Sequence, residues 1–585
     1  MLGTKRWEIP TPEAELDETF SREVPVSRVL STVLWNRGIR TAEQARKFIN
    51  PTMADLHDPG LFDGMDLAVA RARRAIEQGE KIMVHGDYDA DGITSTALLV
   101  RVLSAIGADV TWYVPHRQRD GYDIRPPAIE AAREQGVGLV ITADCGTSAV
   151  EAADLARSCG IDLIVTDHHE PAAELADAFA LINPLKPGCA YPFKDLAGVG
   201  VAFKFAEALV RDCGYDVEAY RRKFIDLVAV GTVADVVPLL GENRILVKFG
   251  MEEIARTGKL GLRALVDRSG LGAKGITSRN IGFVLGPRLN AAGRLDDASL
   301  SVRLLLTKDE SEASRLADAL EACNRERQAE QARMLQEAVS QIEKKRLDET
   351  SKVFVLSSAG WHPGVVGVVA GKITETYCRP TVMIALDDDG EMGVGSGRSI
   401  DGFNLFEALT ECGALLEKFG GHAQAGGLSI VPGNLDEFDI AMNRHADQVL
   451  AECDLEPRVE ADAEISLDAV TEDFIAELSL LEPYGHGNRE PVFVTMGVPV
   501  LQKNTMGATG AHLKLRLGTP SGGTIDCVAF RWGAAAAAIR VGANIDVCYI
   551  ASINDFNGSR NAQVMLRDAR VSANRMGDAL PSEYA

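Results

Sequence analysis

Three short apolar runs constrain this chain most. Ile82-Met83-Val84, Gly138-Leu139-Val140-Ile141-Thr142 and Asp162-Leu163-Ile164-Val165 read as strands, and helix-length segments separate them. A strand that is apolar throughout, not only at alternate positions, belongs in a parallel sheet with helices on both faces. The spacing predicts a doubly wound α/β sheet. Its first crossover helix is expected from Thr94 to Ile106, with Thr94 and Ser95 available to cap the start.

Each run ends in side chains that bind metals. The first continues into His85-Gly86-Asp87-Tyr88-Asp89-Ala90-Asp91-Gly92, the second into Ala143-Asp144-Cys145-Gly146, and the third into Thr166-Asp167-His168-His169. Ligands of open α/β sheets bind beyond the carboxyl ends of the strands, so the three tips should share one site. Carboxylates packed this closely repel one another unless a hard divalent cation lies among them. Helix capping explains one such Asp, but not His-x-x-x-Asp-x-Asp-Gly on a strand tip with two more metal-capable tips beside it. Asp235 adds a lone charge to the apolar stretch Leu227 to Pro238, where a salt bridge is the ordinary alternative.

Together His85, Asp89, Asp91, Asp144, His168 and Asp235 are enough for two cations sharing one bridging carboxylate. Oxygen-rich donors with one or two imidazoles favour Mn²⁺ or Mg²⁺ over zinc. Two such ions about 3.5–4 Å apart stabilise both the attacking and the leaving oxygens of phosphoryl hydrolysis. The chain has no Walker A sequence, no Gly-rich dinucleotide fingerprint and no Gly-x-Ser-x-Gly elbow.

With 585 residues the chain should hold three or four domains. Residues 1–58 read as a helical preface, with short periodic segments from Ser27 to Asn36 and Thr41 to Ile49. The α/β domain follows over 59–310. Residues 311–350 lack Gly and Pro and read as a long helix connecting to a second, smaller α/β domain at 351–452. That domain holds three Gly-rich stretches, around His362, Ser396-Gly397-Arg398 and His422, each expected to be a loop. Consecutive N–H groups there would make a phosphate-binding wall.

Residues 453–572 look all-β. His512-Leu513-Lys514-Leu515-Arg516-Leu517 alternates strictly, which puts His512, Lys514 and Arg516 on one outer face. A small OB-like barrel with that basic strip and with Phe530, Arg531 and Trp532 suits single-stranded nucleic acid, although a solvated strand face reads the same way. The tail, 573–585, is expected to be disordered.

A net charge of −23 argues against coating of nucleic acid over the whole surface, and leaves a local basic channel open. The ten cysteines form no C-x-x-C pair, the N-terminus lacks the apolar core of a signal peptide, and no run is long enough to span a bilayer. A cytoplasmic protein without membrane contact is expected.

The motifs His-Gly-Asp-Tyr-Asp-Ala-Asp-Gly, Thr-Ala-Asp-Cys-Gly, Asp-His-His and Gly-Thr-Val-Ala-Asp-Val-Val-Pro-Leu resemble those of the DHH phosphoesterases. Gly-Gly-His-Ala-Gln-Ala-Gly resembles the DHH-associated (DHHA1) domain. Two further stretches, Leu480 to Asn488 and Arg288 to Arg294, resemble the branch of single-strand-specific 5′→3′ DNA exonucleases. That resemblance implies two-metal hydrolysis of single-stranded DNA to 5′-mononucleotides, in DNA repair and recombination. It places His85 and Asp89 on one metal and Asp91, His168 and Asp235 on the other, with Asp144 bridging. It implies that His169 contacts the scissile phosphate or assists proton transfer, and that His422 reaches the substrate from the second domain. Ser396 and Arg398, with Arg117, would hold a 5′-phosphate, and Arg294 the DNA backbone. Single-stranded DNA, a single-strand-binding protein or a helicase are the implied partners of a monomer. Two alternatives remain at this stage. A family member acting on small substrates, such as a pyrophosphatase or a short-RNA or cyclic-dinucleotide phosphodiesterase, would need no β-barrel. A non-catalytic replication scaffold would be expected to have lost its ligands.

Overall fold

The computed structural model describes residues 5–10, 18–117, 119–272, 275–295, 297–556 and 559–572, so the predicted disordered tail lies outside the described residues. The chain forms two compact units. One comprises Thr52–Leu450 with Pro483–Asn488, and the other Met1–Pro51, Ala451–Glu482 and Arg489–Ala585.

The first unit opens on five parallel strands, β1 (Lys81–Gly86), β2 (Asp109–Tyr113), β3 (Val137–Ala143), β4 (Asp162–Thr166) and β5 (Ala180–Ile182), in the order β2-β1-β3-β4-β5. Alternate side chains enter two cores. Ile82, Val84, Leu139, Ile141 and Ile164 point to one face, and Met83, Val140, Leu163 and Val165 to the other. Burial on both faces is why these strands read as continuous apolar runs. Strand order reverses between β1 and β3, and a doubly wound sheet opens its crevice at such a switch.

The helix after β1 spans Ala90–Ala105 and starts four residues before the expected Thr94. Asp89 is its cap: one carboxylate oxygen accepts from the backbone N–H groups of Asp91 and Gly92 at 3.0 and 3.1 Å. Thr94 and Ser95 are buried, and the Thr94 hydroxyl donates back to the Ala90 carbonyl. Asn290 completes the helix start by accepting from the Ala90 N–H at 2.8 Å.

A 36-residue helix, Glu310–Lys345, leads to a second sheet, as the missing Gly and Pro predict. Its strands are β6 (Phe354–Ala359), β7 (Thr381–Leu386), β8 (Gly393–Arg398), β9 (Lys418–Gly421) and β10 (Ala425–Ile430), in the order β9-β10-β8-β7-β6. Two expected loops are corrected here. Gly395-Ser396-Gly397-Arg398 is part of the central strand β8, and Gly420 to Gly427 lies in the hairpin of β9 and β10. The glycines of β8 are packing gaps: a Cβ on Gly393 would stand 2.7 Å from Ile384, and one on Gly397 2.8 Å from Leu405. With period two, Ser396 and Arg398 then occupy the opposite face.

The second unit is built on β11 (Phe493–Met506), β12 (His512–Gly518), β13 (Thr524–Ala529), β14 (Asn544–Phe556) and β15 (Ser559–Val571). They run β11-β12-β13-β15-β14, and pairing of β11 with β14 closes the barrel. Leu513, Leu515 and Leu517 are buried, as the alternation predicts. The N-terminal segment through Pro51 groups with this unit. Arg6–Glu8 pairs with Arg458–Glu460. The Trp7 indole donates to Asp568 at 2.8 Å, and Arg37 donates to the buried Asp462 at 3.0 Å.

Candidate metal centre and basic surfaces

Ligand atoms of Asp87, Asp89 and Asp144 lie within 4.8 Å of one another, as do those of Asp91, His168 and Asp235 and those of Asp144, His168 and His169. Asp144 and His168 each belong to two of these groups, so the three form one cluster across the β1, β3 and β4 tips. The structure therefore brings together Asp89, Asp91, Asp144, His168, His169 and Asp235. His85 is not within that spacing, but it is buried beside the cluster with its Nε2 unpartnered, its ring stacked on Tyr113 and its Nδ1 3.6 Å from the Cys145 sulfur.

Local structure forces these carboxylates inward. Asp91 accepts from the Gly198 and Val199 N–H groups at 2.7 and 2.9 Å, at the start of the helix Gly198–Asp212. Asp144 takes a left-handed backbone, φ 68°, a conformation that costs a non-glycine residue on the order of 1–3 kcal/mol. A Cβ on Gly198 would stand 2.3 Å from the Asp144 carboxylate, and one on Gly231 2.7 Å from that of Asp91. Glycine at both positions leaves room for the carboxylates. Asp235 caps the carboxyl end of the apolar helix Val217–Ala234, where the helix dipole disfavours a negative charge.

The electrostatics need an external cation. Among the described residues no lysine or arginine pairs with Asp87, Asp89, Asp91, Asp144 or Asp235. Burial, then the neighbouring carboxylates, drives the Asp144 and Asp235 carboxyls well above the carboxylate range and Asp91 up to about 7. Asp87 is also raised, by burial and Asp89. Burial lowers His85 to about 4, and burial with His169 does the same to His168, which keeps both imidazoles neutral and able to ligate. The Asp87 Oδ1, Asp144 Oδ1, His85 Nε2 and His168 Nε2 atoms are buried without a hydrogen bond. His168 Nε2 and Asp144 Oδ1 stand 3.2 Å apart without hydrogen-bond alignment, as two ligands of one ion would. Orphaned donors of this kind fit Mn²⁺ or Mg²⁺.

Sequence reasoning missed two residues. Asp87 joins Asp89 and Asp144, and only its position within the acidic tip could have suggested it. Asp167 works behind the histidines: it accepts from the Thr147, His168 and His169 N–H groups and meets the His169 Nδ1 at 2.8 Å. Burial opposes ionisation of Asp167, but these donors outweigh it and lower its pKa. Burial likewise opposes charge on His169, yet Asp167 raises that ring to about 9.

Arg117, Arg294 and Arg398 have no carboxylate within 4 Å among the described residues. Arg117 lies over the Tyr88 ring at 4.1 Å with its Nε buried and unpartnered. Arg294 donates to the Gly364 carbonyl at 3.3 Å, and Arg398 donates to Ser396 Oγ at 3.0 Å and the Gly397 carbonyl at 2.7 Å. Burial and then mutual repulsion lower Arg294 to about 9, and Arg398 is lowered by burial and Arg117. The helix Val366–Tyr377 begins against this group: a Cβ on Gly367 would stand 2.9 Å from Ser396 Oγ and 3.1 Å from Arg398 Nη2. A guanidinium at a helix N-terminus is an arrangement that could take an anion. His422 is exposed at the turn between β9 and β10.

The barrel strip differs. Lys514 and Arg516 both pair with Asp526 on β13, at 2.8 and 3.3 Å. His512 accepts from the Arg531 N–H at 2.9 Å.

A parallel sheet with this acidic crevice defines a metal-dependent phosphoesterase. Residues 81–232 match the DHH family N-terminal domain, 350–447 the DHHA1 domain and 461–568 the RecJ OB domain. A single-stranded-DNA-specific exonuclease RecJ of Bacillus subtilis is 39% identical over 98% of this chain and 72% of its own length. That of Escherichia coli is 36% identical over 94% of this chain and 97% of its own. The crystal structure of RecJ from Thermus thermophilus in complex with Mn²⁺ superposes with a TM-score of 0.83 at 32% identity, covering 99% of this chain and 82% of that one. The Mg²⁺ complex gives 0.77 at 31% identity, with 97% and 79% covered. The chain belongs to the RecJ family of exonucleases.

Proposed function

We propose that the protein hydrolyses single-stranded DNA from its 5′ end, releasing 5′-mononucleotides, in DNA repair and recombination. The observation that carries this is the set of five clustered carboxylates, three of them fully buried, with no lysine or arginine among them, beside a group of arginines with no carboxylate. The first set awaits cations, and the second awaits phosphate.

His85 and Asp89, with Asp87 alongside, would hold one metal, Asp91, His168 and Asp235 the other, and Asp144 would be available to both. Bound Mn²⁺ or Mg²⁺ would supply Lewis-acid stabilisation of the phosphoryl charge and lower the pKa of the attacking water. His169, its Nδ1 held by Asp167, presents Nε2 to the scissile phosphate, to stabilise charge or to pass a proton to the leaving oxygen. Arg117, Ser396 and Arg398 hold the terminal 5′-phosphate, and Arg294 holds the backbone behind it. His422 contacts the substrate from its hairpin, and Lys514 and Arg516 add weak contacts to the strand. The protein acts as a cytoplasmic monomer, and a single-strand-binding protein or a helicase presents its strand ends.

Release of mononucleotides from strands labelled at either end tests the reading. Early release of the 5′ label with Mn²⁺ is expected. Early release of the 3′ label, or hydrolysis of pyrophosphate in preference to DNA, would overturn it.

A further inference from the structure

A cavity of about 510 Å³ lies away from the metal centre, at the far ends of two helices that carry metal-centre residues. Arg101 lies near the carboxyl end of Ala90–Ala105, whose first turn holds Asp91. Ala219 and Arg222 lie in the first half of Val217–Ala234 and Asp226 at its middle, while its carboxyl end holds Asp235. Ten residues of helix separate Asp91 from Arg101, about 15 Å at 1.5 Å per residue. The two sites are therefore distinct.

The lining carries five basic side chains against three acidic ones, in a chain whose net charge is −23. The acidic groups are already engaged. Asp226 is buried and accepts both from Lys259, at 2.7 and 2.9 Å, and from the Thr257 hydroxyl. Glu253 pairs with Arg256 at 3.4 Å, and Asp216 caps its helix through Glu218 and Ala219. Three cations remain without a carboxylate partner among the described residues. Arg101 donates only to the Leu305 and Thr307 carbonyls, and Arg222 and Lys223 stand exposed at the rim. Burial lowers Lys259, and Arg101 and Lys223 repel it further, so the cations crowd one another.

We propose that this cavity binds a small anion carrying two or more phosphate groups, such as a nucleoside polyphosphate or inorganic pyrophosphate. The floor of Lys259, Asp226 and Thr257 is buried, hydrogen-bonded and neutral overall, while Arg101, Arg222 and Lys223 supply charge-assisted donors to separate phosphates. Orthophosphate reaches too few of them at once to bind as well.

The test is calorimetric titration of the full-length Mn²⁺-loaded protein with pyrophosphate, ADP and orthophosphate. The titration is repeated on an Arg222→Glu/Lys223→Glu double variant and on Arg398→Ala. Both altered rim residues are exposed, so folding and exonuclease rate should hold. The expected result is a pyrophosphate-binding event roughly tenfold or more tighter than that of orthophosphate. It should be lost in the rim variant and kept in Arg398→Ala. ADP binding tighter than pyrophosphate would support a nucleotide as the source, and equal affinity an inorganic one. The proposal is overturned if the rim variant binds pyrophosphate as the wild type does, or if the only event disappears with Arg398→Ala. Neither result bears on the exonuclease reading, which is scored on DNA alone.

Discussion

The catalytic unit and the barrel handle charge in opposite ways. In the first, like charges gather without counter-charges: Asp87, Asp89, Asp91, Asp144 and Asp235 on one side, Arg117, Arg294 and Arg398 on the other. In the barrel the basic strip has a counter-charge, with Lys514 and Arg516 sharing Asp526. A fold that buries unpaired charge carries a free-energy cost that a ligand of opposite charge relieves without protonating the site. A surface that pairs its charges carries none. On the proposed reading the unpaired groups are where metal and phosphate would go, and the paired strip would be a weak contact.

The contrast breaks most visibly at Asp144. If Asp144 serves both cations as proposed, Asp144→Ala should reduce exonuclease rate on the order of a thousandfold or more. Near-wild-type turnover at saturating Mn²⁺ would sink the bridging role.

A smaller effect belongs to Arg398. Arg398→Ala should cost roughly 1.5–3 kcal/mol on a 5′-phosphorylated strand and little on its 5′-hydroxyl twin. Initial rates on both strands at fixed salt decide the matter. An unchanged preference for the phosphorylated strand would put the 5′-phosphate elsewhere.

The strip should respond least. Because the Asp526 carboxylate offsets part of their charge, Lys514→Ala/Arg516→Ala should weaken DNA binding only slightly. The slope of log affinity against log salt should fall by no more than about 0.7, the value of one phosphate contact on a single strand. Asp526→Asn should tighten binding at low salt by releasing both cations. A large loss in the double variant, or weaker binding in Asp526→Asn, would show that the strip is a principal DNA surface.

How far the sequence could be read follows the same division. Strands β1, β3 and β4 were legible because burial on both faces leaves no polar position to confuse the period. The Glu310–Lys345 helix was legible because nothing in it breaks one. The tip of β1 misled by four residues, since Asp89 both caps the helix and faces the metal site, and propensity alone favoured Thr94. Glycine misled at β8: its role there is to make room for Ile384 and Leu405, a tertiary fact invisible to a local pattern. The packing of Arg6–Glu8 against Arg458–Glu460 joins segments some 450 residues apart, which no local signal carries. Asp526 lies ten residues beyond Arg516 on the next strand, so the strip's counter-charge could be seen only once register was known.

The central claim is that two cations occupy the acidic cluster and share Asp144. Calorimetric titration of metal-free protein with Mn²⁺ tests it directly, in the wild type and in Asp144→Ala. Two Mn²⁺ per chain in the wild type, with both bindings weakened in the variant, is the result expected. A single Mn²⁺ in the wild type, or one site left at full affinity in Asp144→Ala, would contradict it.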